Sequence, residues 1–128
     1  APRVFDAETL RAAQHLLRRM PVGDAVVEMI LDLVRAFRPG DASAGARVRD
    51  TVAWGPGPRA AQALMLTVRA RALLQGRLAP SPEDVLDMAR PVLVHRMALT
   101  FSARARGESL GRLIDEVTAD LTRAEAAA

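Results

Sequence analysis

Gly55-Pro56-Gly57-Pro58-Arg59-Ala60 is the stretch on which the reading of this chain turns. Two glycines alternating with two prolines make a stiff turn. Pro58 suits the first position of a helix, where its missing N–H would have no intrahelical partner anyway. Downstream, Ala61, Leu64, Met65, Val68 and Ala72 trace one face, which predicts a helix from Pro58 to about Gln75. Arg59 then falls in the first turn of that helix. A cation there faces the positive end of the helix dipole, at a cost of about 0.3–1 kcal/mol unless something negative is near. A helix N-terminus is also where anions bind. Arg59 is therefore either a solvent-exposed arginine after a tight turn or one held ready for a phosphate. Spacing leaves both readings open.

Working outward toward the C-terminus, Gly76 is a helix C-cap. Ser81-Pro82-Glu83-Asp84 carries an N-cap serine, a first-position proline and two acids in the first turn. Those acids are assigned to capping rather than chemistry. Val85, Leu86, Met88 and Ala89 give the short helix its apolar side. Pro91 is expected to interrupt it, with Val92–Met97 forming another helical piece that carries a basic pair, His95-Arg96. Arg104–Gly107 reads as a turn. Ser109 caps a last helix, Leu110 to about Arg123, with Leu110, Leu113, Ile114, Val117 and Leu121 inward. The tail Ala124–Ala128 is expected to fray.

Toward the N-terminus, Trp54 reads as a residue that pins the chain to the core before the turn, or alternatively meets a ligand or partner. Arg47–Val52 alternates briefly, which predicts a short strand or an extended strap near 47–53. Pro39–Gly45 has the composition of a mobile loop. A second helix spans about Ala25–Phe37 with Asp24 as its cap and Val27, Ile30, Leu31 and Val34 as its apolar face. Glu28 and Asp32 lie one turn apart on it and read as a solvated face rather than a catalytic pair. A first helix spans about Ala7–Met20, capped by Asp6, with Leu10, Ala13, Leu16, Leu17 and Met20 on its apolar side. His15 within it has no second ligand at metal spacing. The fold class expected is all-α: one domain, 1–128, a small bundle of about five to six helices.

Composition narrows the functional classes. The chain has 128 residues, 50% of them apolar, with three Phe, one Trp and no Tyr, so the core must be aliphatic. Cysteine is absent, which excludes disulfides and thiolate metal sites. All eighteen basic residues are arginine. Because the net charge is only +3 and the arginines are interleaved with fifteen acids, the pattern argues against a nucleic-acid face. No apolar stretch approaches the ~20 residues of a membrane span. With no lysine, a phosphate-loop lysine is impossible, and no H-E-x-x-H or nucleophile turn is present. The residues thus give a helical domain with an arginine that could face an anion, and no active site of its own. The start at Ala1 without Met reads as a fragment or a processed chain.

A larger pattern surrounds the turn. Gly55-Pro56-Gly57-Pro58-Arg59-Ala60 resembles the G-x-S-P-R-A signature that opens the sensor-2 helix of MoxR-type AAA+ ATPases. Pro21-Val22 followed by Ile30–Ala36 resembles that family's "pV…yivdLvraTR" segment. Ala70–Arg77 resembles its "AraLAlLdGR", Ser81–Val85 its "tPeDV", and Pro91–Met97 its "pvLrHRl". Five pieces in order span nearly the whole chain, yet they cover only the family's C-terminal helical lid; the nucleotide-binding α/β core is absent.

The resemblance implies a role. The lid closes over ATP, held with Mg²⁺ mainly by the core, and the sensor-2 arginine reaches its phosphates. By position that arginine is Arg59, the candidate catalytic residue, with Gly57, Pro58 and Arg59 as the nucleotide-binding turn. Gly57 stands where the family has Ser, so a hydroxyl is lost. The resemblance further implies a chaperone-like ATPase in a homo-oligomeric ring, with its own core and a von Willebrand A-domain protein as partners; the absence of cysteine fits a cytoplasmic location. His95-Arg96 matches the pattern without an assigned role. Two other readings stand beside it: a free helical interaction module without nucleotide, and an arginine-rich nucleic-acid binder.

Overall fold

The computed structural model describes residues 2–127. In chain order its elements are α1 (Ala7–Arg19), α2 (Asp24–Ala36), α3 (Ala46–Thr51), β1 (Val52–Trp54), α4 (Pro58–Leu74), α5 (Pro82–Leu93), β2 (Ala98–Leu99), α6 (Phe101–Ala105) and α7 (Leu110–Ala127). The helix opened by the Gly-Pro turn is the hub. α4 packs most extensively on α5 and also meets α2 and α1, while α7 closes the far side against α5 and α2. Leu33, Phe37, Leu64, Leu93, Leu113 and Ile114 are fully buried where these helices meet. Each such side chain contributes about 1.5–3 kcal/mol through burial. None of the described helices is long and apolar enough to cross a membrane.

Local signals set several boundaries. Asp6 caps α1 by accepting from the Thr9 N–H at 2.7 Å. α4 ends at a glycine with φ +75, Gly76. The Gly76 N–H donates to the Leu73 carbonyl and the Arg77 N–H to that of Ala72 at 2.8 Å. That pair of bonds satisfies carbonyls the helix end would leave open, in the left-handed conformation that glycine adopts without a Cβ penalty. Gly107 (φ +76) ends α6 in the same way.

Other expectations are corrected. Residues 46–51 are helical, not an extended strap; only Val52–Trp54 is strand, pairing antiparallel with β2 through Val52↔Leu99 and Trp54↔Ala98. Val48 and Thr51, three apart, are both buried, so the brief alternation was one face of a helical turn. Pro91 lies inside α5 and does not split it. It is exposed, and so is Asp87, whose carbonyl loses its donor, so water can satisfy that group. Val94–Met97 is a turn, not a helix. The helices among the described residues number seven rather than five or six because α3 and α6 are separate short pieces.

Asp24 is the first residue of α2, with Gly23 as its cap and no side-chain cap bond. α1 buries none of its own residues; Leu10 and Leu16 stay exposed, and Met20 just beyond it is the buried anchor. Leu31, expected inward, is exposed beside Leu66 on an apolar groove between α2 and α4. α7 continues helical to Ala127 through the tail expected to fray, and Ala128 lies outside the described residues.

Candidate functional site

Three contacts hold the turn between β1 and α4 in place. Gly55 meets the C-terminal end of α2 so closely that a Cβ would stand 2.2 Å from the Phe37 carbonyl oxygen and 3.0 Å from Arg38 Cα. No residue but glycine allows that approach without moving backbone. Pro56 is fully buried, and on the other side of the turn Ala60 is buried as well. Gly57 caps α4 with extended backbone (φ -90, ψ -176) and no side-chain cap bond. A Cβ at Gly57 would meet nothing within 4 Å. The missing serine of the signature is thus a missing N-cap hydroxyl, not a steric requirement.

This anchoring places Arg59 at the second position of α4, exposed to solvent. It makes no ion pair with any described residue. The first turn of α4 also contains no acid. The chain therefore offers the N-terminal dipole and the guanidinium together without neutralising either, which is the electrostatics of an anion site. A cleft of about 640 Å³ opens beside the turn, lined by Arg38, Asp41, Trp54 and Gly55–Gly57. Trp54, expected to pin the chain to the core, is 57% exposed at its rim. Val52, two residues earlier, takes the buried place. Across the cleft, the Asp41 carboxylate accepts from the Ser43 N–H and hydroxyl, which hold its pKa below the usual carboxylate range.

The opposite end of α4 has the reverse electrostatics. Arg77 donates to Asp84 through both terminal nitrogens, at 2.8 and 2.7 Å. Arg71 Nε lies 3.3 Å from the same carboxylate and its Nη2 lies 2.5 Å from Asp87. Asp84 also accepts from the Ser81 N–H at 2.7 Å, the side-chain half of a capping box. Its side chain is 4% exposed. The Arg77 hydrogen bonds, helped by Ser81 and opposed by burial, lower the Asp84 pKa to about 2. Asp84 raises that of Arg77 in turn. The sequence assigned Asp84 to capping, and it does cap; that it also gathers two arginines was not legible from Ser81–Asp84 alone.

The other residues weighed in the sequence fall elsewhere. Glu28 and Asp32 are exposed on α2, and His15 and His95 are exposed on α1 and after α5. No group of three or more acids or histidines among the described residues is placed to hold a metal ion.

With this geometry in view, the family is clear. The AAA lid domain model matches residues 44–117, a span that holds the turn, α4 and Asp84, and the chain belongs to that family. Its similarity is to MoxR proteins. It is 30% identical over 105 residues to the Chaperone MoxR1 of Mycobacterium tuberculosis, covering 82% of this chain and 28% of that one. It is 36% identical over 90 residues to Protein MoxR of Paracoccus denitrificans, covering 67% and 26% respectively. The crystal structure of a candidate ATPase from Cytophaga hutchinsonii superposes with TM-score 0.71 at 25% identity, over 80% of this chain and 31% of that one. The chain thus spans about a quarter to a third of the length of these relatives.

Proposed function

We propose that this chain is the sensor-2 lid of a MoxR-type AAA+ ATPase, closing over ATP bound by a nucleotide-binding core in a longer protein. The observation that supports it is Arg59: an exposed guanidinium without an acidic partner, on a helix N-terminus anchored by Gly55, in an AAA lid. Arg59 and the α4 N–H groups would stabilise charge on the β- and γ-phosphates, and Gly57 and Pro58 would shape the approach. Arginine suits this contact because its planar fork matches phosphate oxygens. Loss of the γ-phosphate would weaken the grip and let the lid move, coupling hydrolysis to remodelling of partner complexes. In this reading the full protein is a cytoplasmic, chaperone-like ATPase, ring-forming, with a von Willebrand A-domain protein among its partners.

Arg59→Ala in the full-length protein tests the reading. ATP turnover should fall by about 100-fold or more. Stability of the lid should hold or rise by about 0.3–1 kcal/mol, because a cation leaves the positive end of a dipole. Wild-type turnover in this variant would remove the sensor role.

A further inference from the structure

α1 is the one helix among the described residues that buries none of its own side chains. It is seated on α4, but Leu10 and Leu16 stand exposed along it, with Phe5 exposed just before it. Arg11, Arg18 and Arg19 are exposed on the same helix, and none is in an ion pair among the described residues. Leu16 and Arg19 are three apart, so they are neighbours on the helix surface. α1 therefore carries an apolar and cationic flank that no described residue covers.

The complementary surface lies between α2 and the C-terminal half of α7. A cleft of about 280 Å³ there is lined by the apolar Met29, Leu121 and Ala124 and by three carboxylates, Glu28, Asp32 and Glu125. No cation lines it, and none of the three acids is in an ion pair among the described residues. Glu125 lies in the last turn of α7, at the negative end of its dipole, which adds to the field for a cation. The cleft on the other flank of α7 differs. It shares Leu121 and Ala124, but its acids, Glu116 and Asp120, are paired with Arg47 and Arg123. Of the two, the first joins apolar surface to uncompensated negative charge, and its chemical complement is a cationic amphipathic helix. No α1 residue lines that cleft, and α1 is held on α4, joined to α2 by residues 20–23 alone. The two surfaces therefore meet between molecules and not within one.

We infer that the cleft between α2 and α7 receives α1 of a second copy of this chain, with the α1 arginines facing Glu28, Asp32 and Glu125 and Leu16 lying against Leu121. Because the two surfaces differ, the contact is head-to-tail and repeats from copy to copy, into a ring where the rotation closes and a filament where it does not. It goes beyond the nucleotide reading and does not rest on Arg59.

The test is disulfide trapping between copies of the full-length protein cleared of other cysteines; this chain has none. One population carries Leu16→Cys and the other Ala124→Cys, both at exposed positions, so a mixed cross-link arises only between molecules. Two cysteines bridge only when their Cα atoms lie within about 7 Å. On mild oxidation the mixture should give about 10-fold more mixed dimer than Leu16→Cys with Leu74→Cys, an exposed control at the C-terminal end of α4. Arg18→Glu with Arg19→Glu in the Leu16→Cys population should return the yield to the control level. Adding Glu28→Arg with Glu125→Arg to the Ala124→Cys population should restore it, because both signs are then reversed. General damage to either surface would not be repaired by a second reversal. A control-level yield with native charges overturns the inference, whether the cleft is empty or takes the nucleotide-binding core or a different basic protein. A yield that survives the first reversal, or that the second fails to restore, overturns it as well. Should the reversed proteins melt below the assay temperature, Arg18→Gln with Arg19→Gln carries the test: a fall of at least about 3-fold in yield supports the inference and an unchanged yield overturns it. ATP turnover of Arg59→Ala reads the nucleotide role separately, so either can fail alone.

Discussion

Arg59 and Arg77 stand at the two ends of α4, and the chain treats them in opposite ways. Arg77 follows the helix C-terminus, where the dipole favours a cation, and it grips Asp84 with both terminal nitrogens. Arg59 sits at the N-terminus, where the dipole disfavours it, and makes no ion pair with an acid among the described residues. One arginine is internally neutralised and holds the α4–α5 hairpin together. The other is held rigidly and left with its charge open. Pairing, more than residue type, separates a structural arginine from a candidate ligand-binding one in a chain with eighteen of them.

The comparison can be broken most severely at Asp84. Replacing it with Ala leaves Arg77 and Arg71 half-buried without their shared partner, and should cost about 3 kcal/mol. For a domain of this size that lowers the thermal midpoint by about 10 °C. A melt within 2 °C of wild type would show that the Asp84 cluster is not what holds this end. The same carboxylate predicts an acid limb. Its folded pKa of about 2 lies below the ordinary ~3.9 of the unfolded chain. Its stabilisation is therefore complete above about pH 4 and is lost as pH falls through 2. The loss approaches about 2 kcal/mol, read by denaturant titration, and should be missing in Asp84→Ala.

The other end breaks through sterics. Gly55→Ala drives a Cβ into the Phe37 carbonyl and should cost about 1–3 kcal/mol, with ATP turnover of the full protein falling as the turn shifts Arg59. A variant with wild-type stability and turnover would show that the close approach does not position the arginine. The smallest expected effect sharpens the contrast. Gly57→Ser restores the cap hydroxyl in open space and should raise stability by a few tenths of a kcal/mol, visible as a small rise in the thermal midpoint. A drop would mean that the cap position needs glycine for a reason other than capping.

Much of the fold was legible because it is written in local chemistry. Asp6, Ser81, Pro58 and Gly76 mark helix ends by satisfying or omitting particular backbone groups within a few residues, and the structure bears these marks out. The errors have a common cause. Val48 and Val52 fit a strand spacing and a helical spacing alike, and neighbours outside the segment decided that 46–51 coils and only 52–54 extends. Pro91 broke the pattern but not the helix, since the Asp87 carbonyl it leaves without a donor belongs to an exposed residue that water can reach. The size and aromaticity of Trp54 favour the core over a ligand or partner contact, yet Val52 fills the buried place and Trp54 stands exposed.

By itself, then, the sequence determined the helical class, most of the caps, the stiff turn and the arginine in the first turn of its helix, because each depends on interactions within a few residues. Only the tertiary structure decided that Gly55 must be glycine, that Asp84 gathers Arg71 and Arg77, and that Val52 rather than Trp54 fills the core. Those facts arise where α2, α4, α5 and the β1–β2 ribbon meet. Contacts between segments dozens of residues apart leave no spacing along the chain from which they can be read.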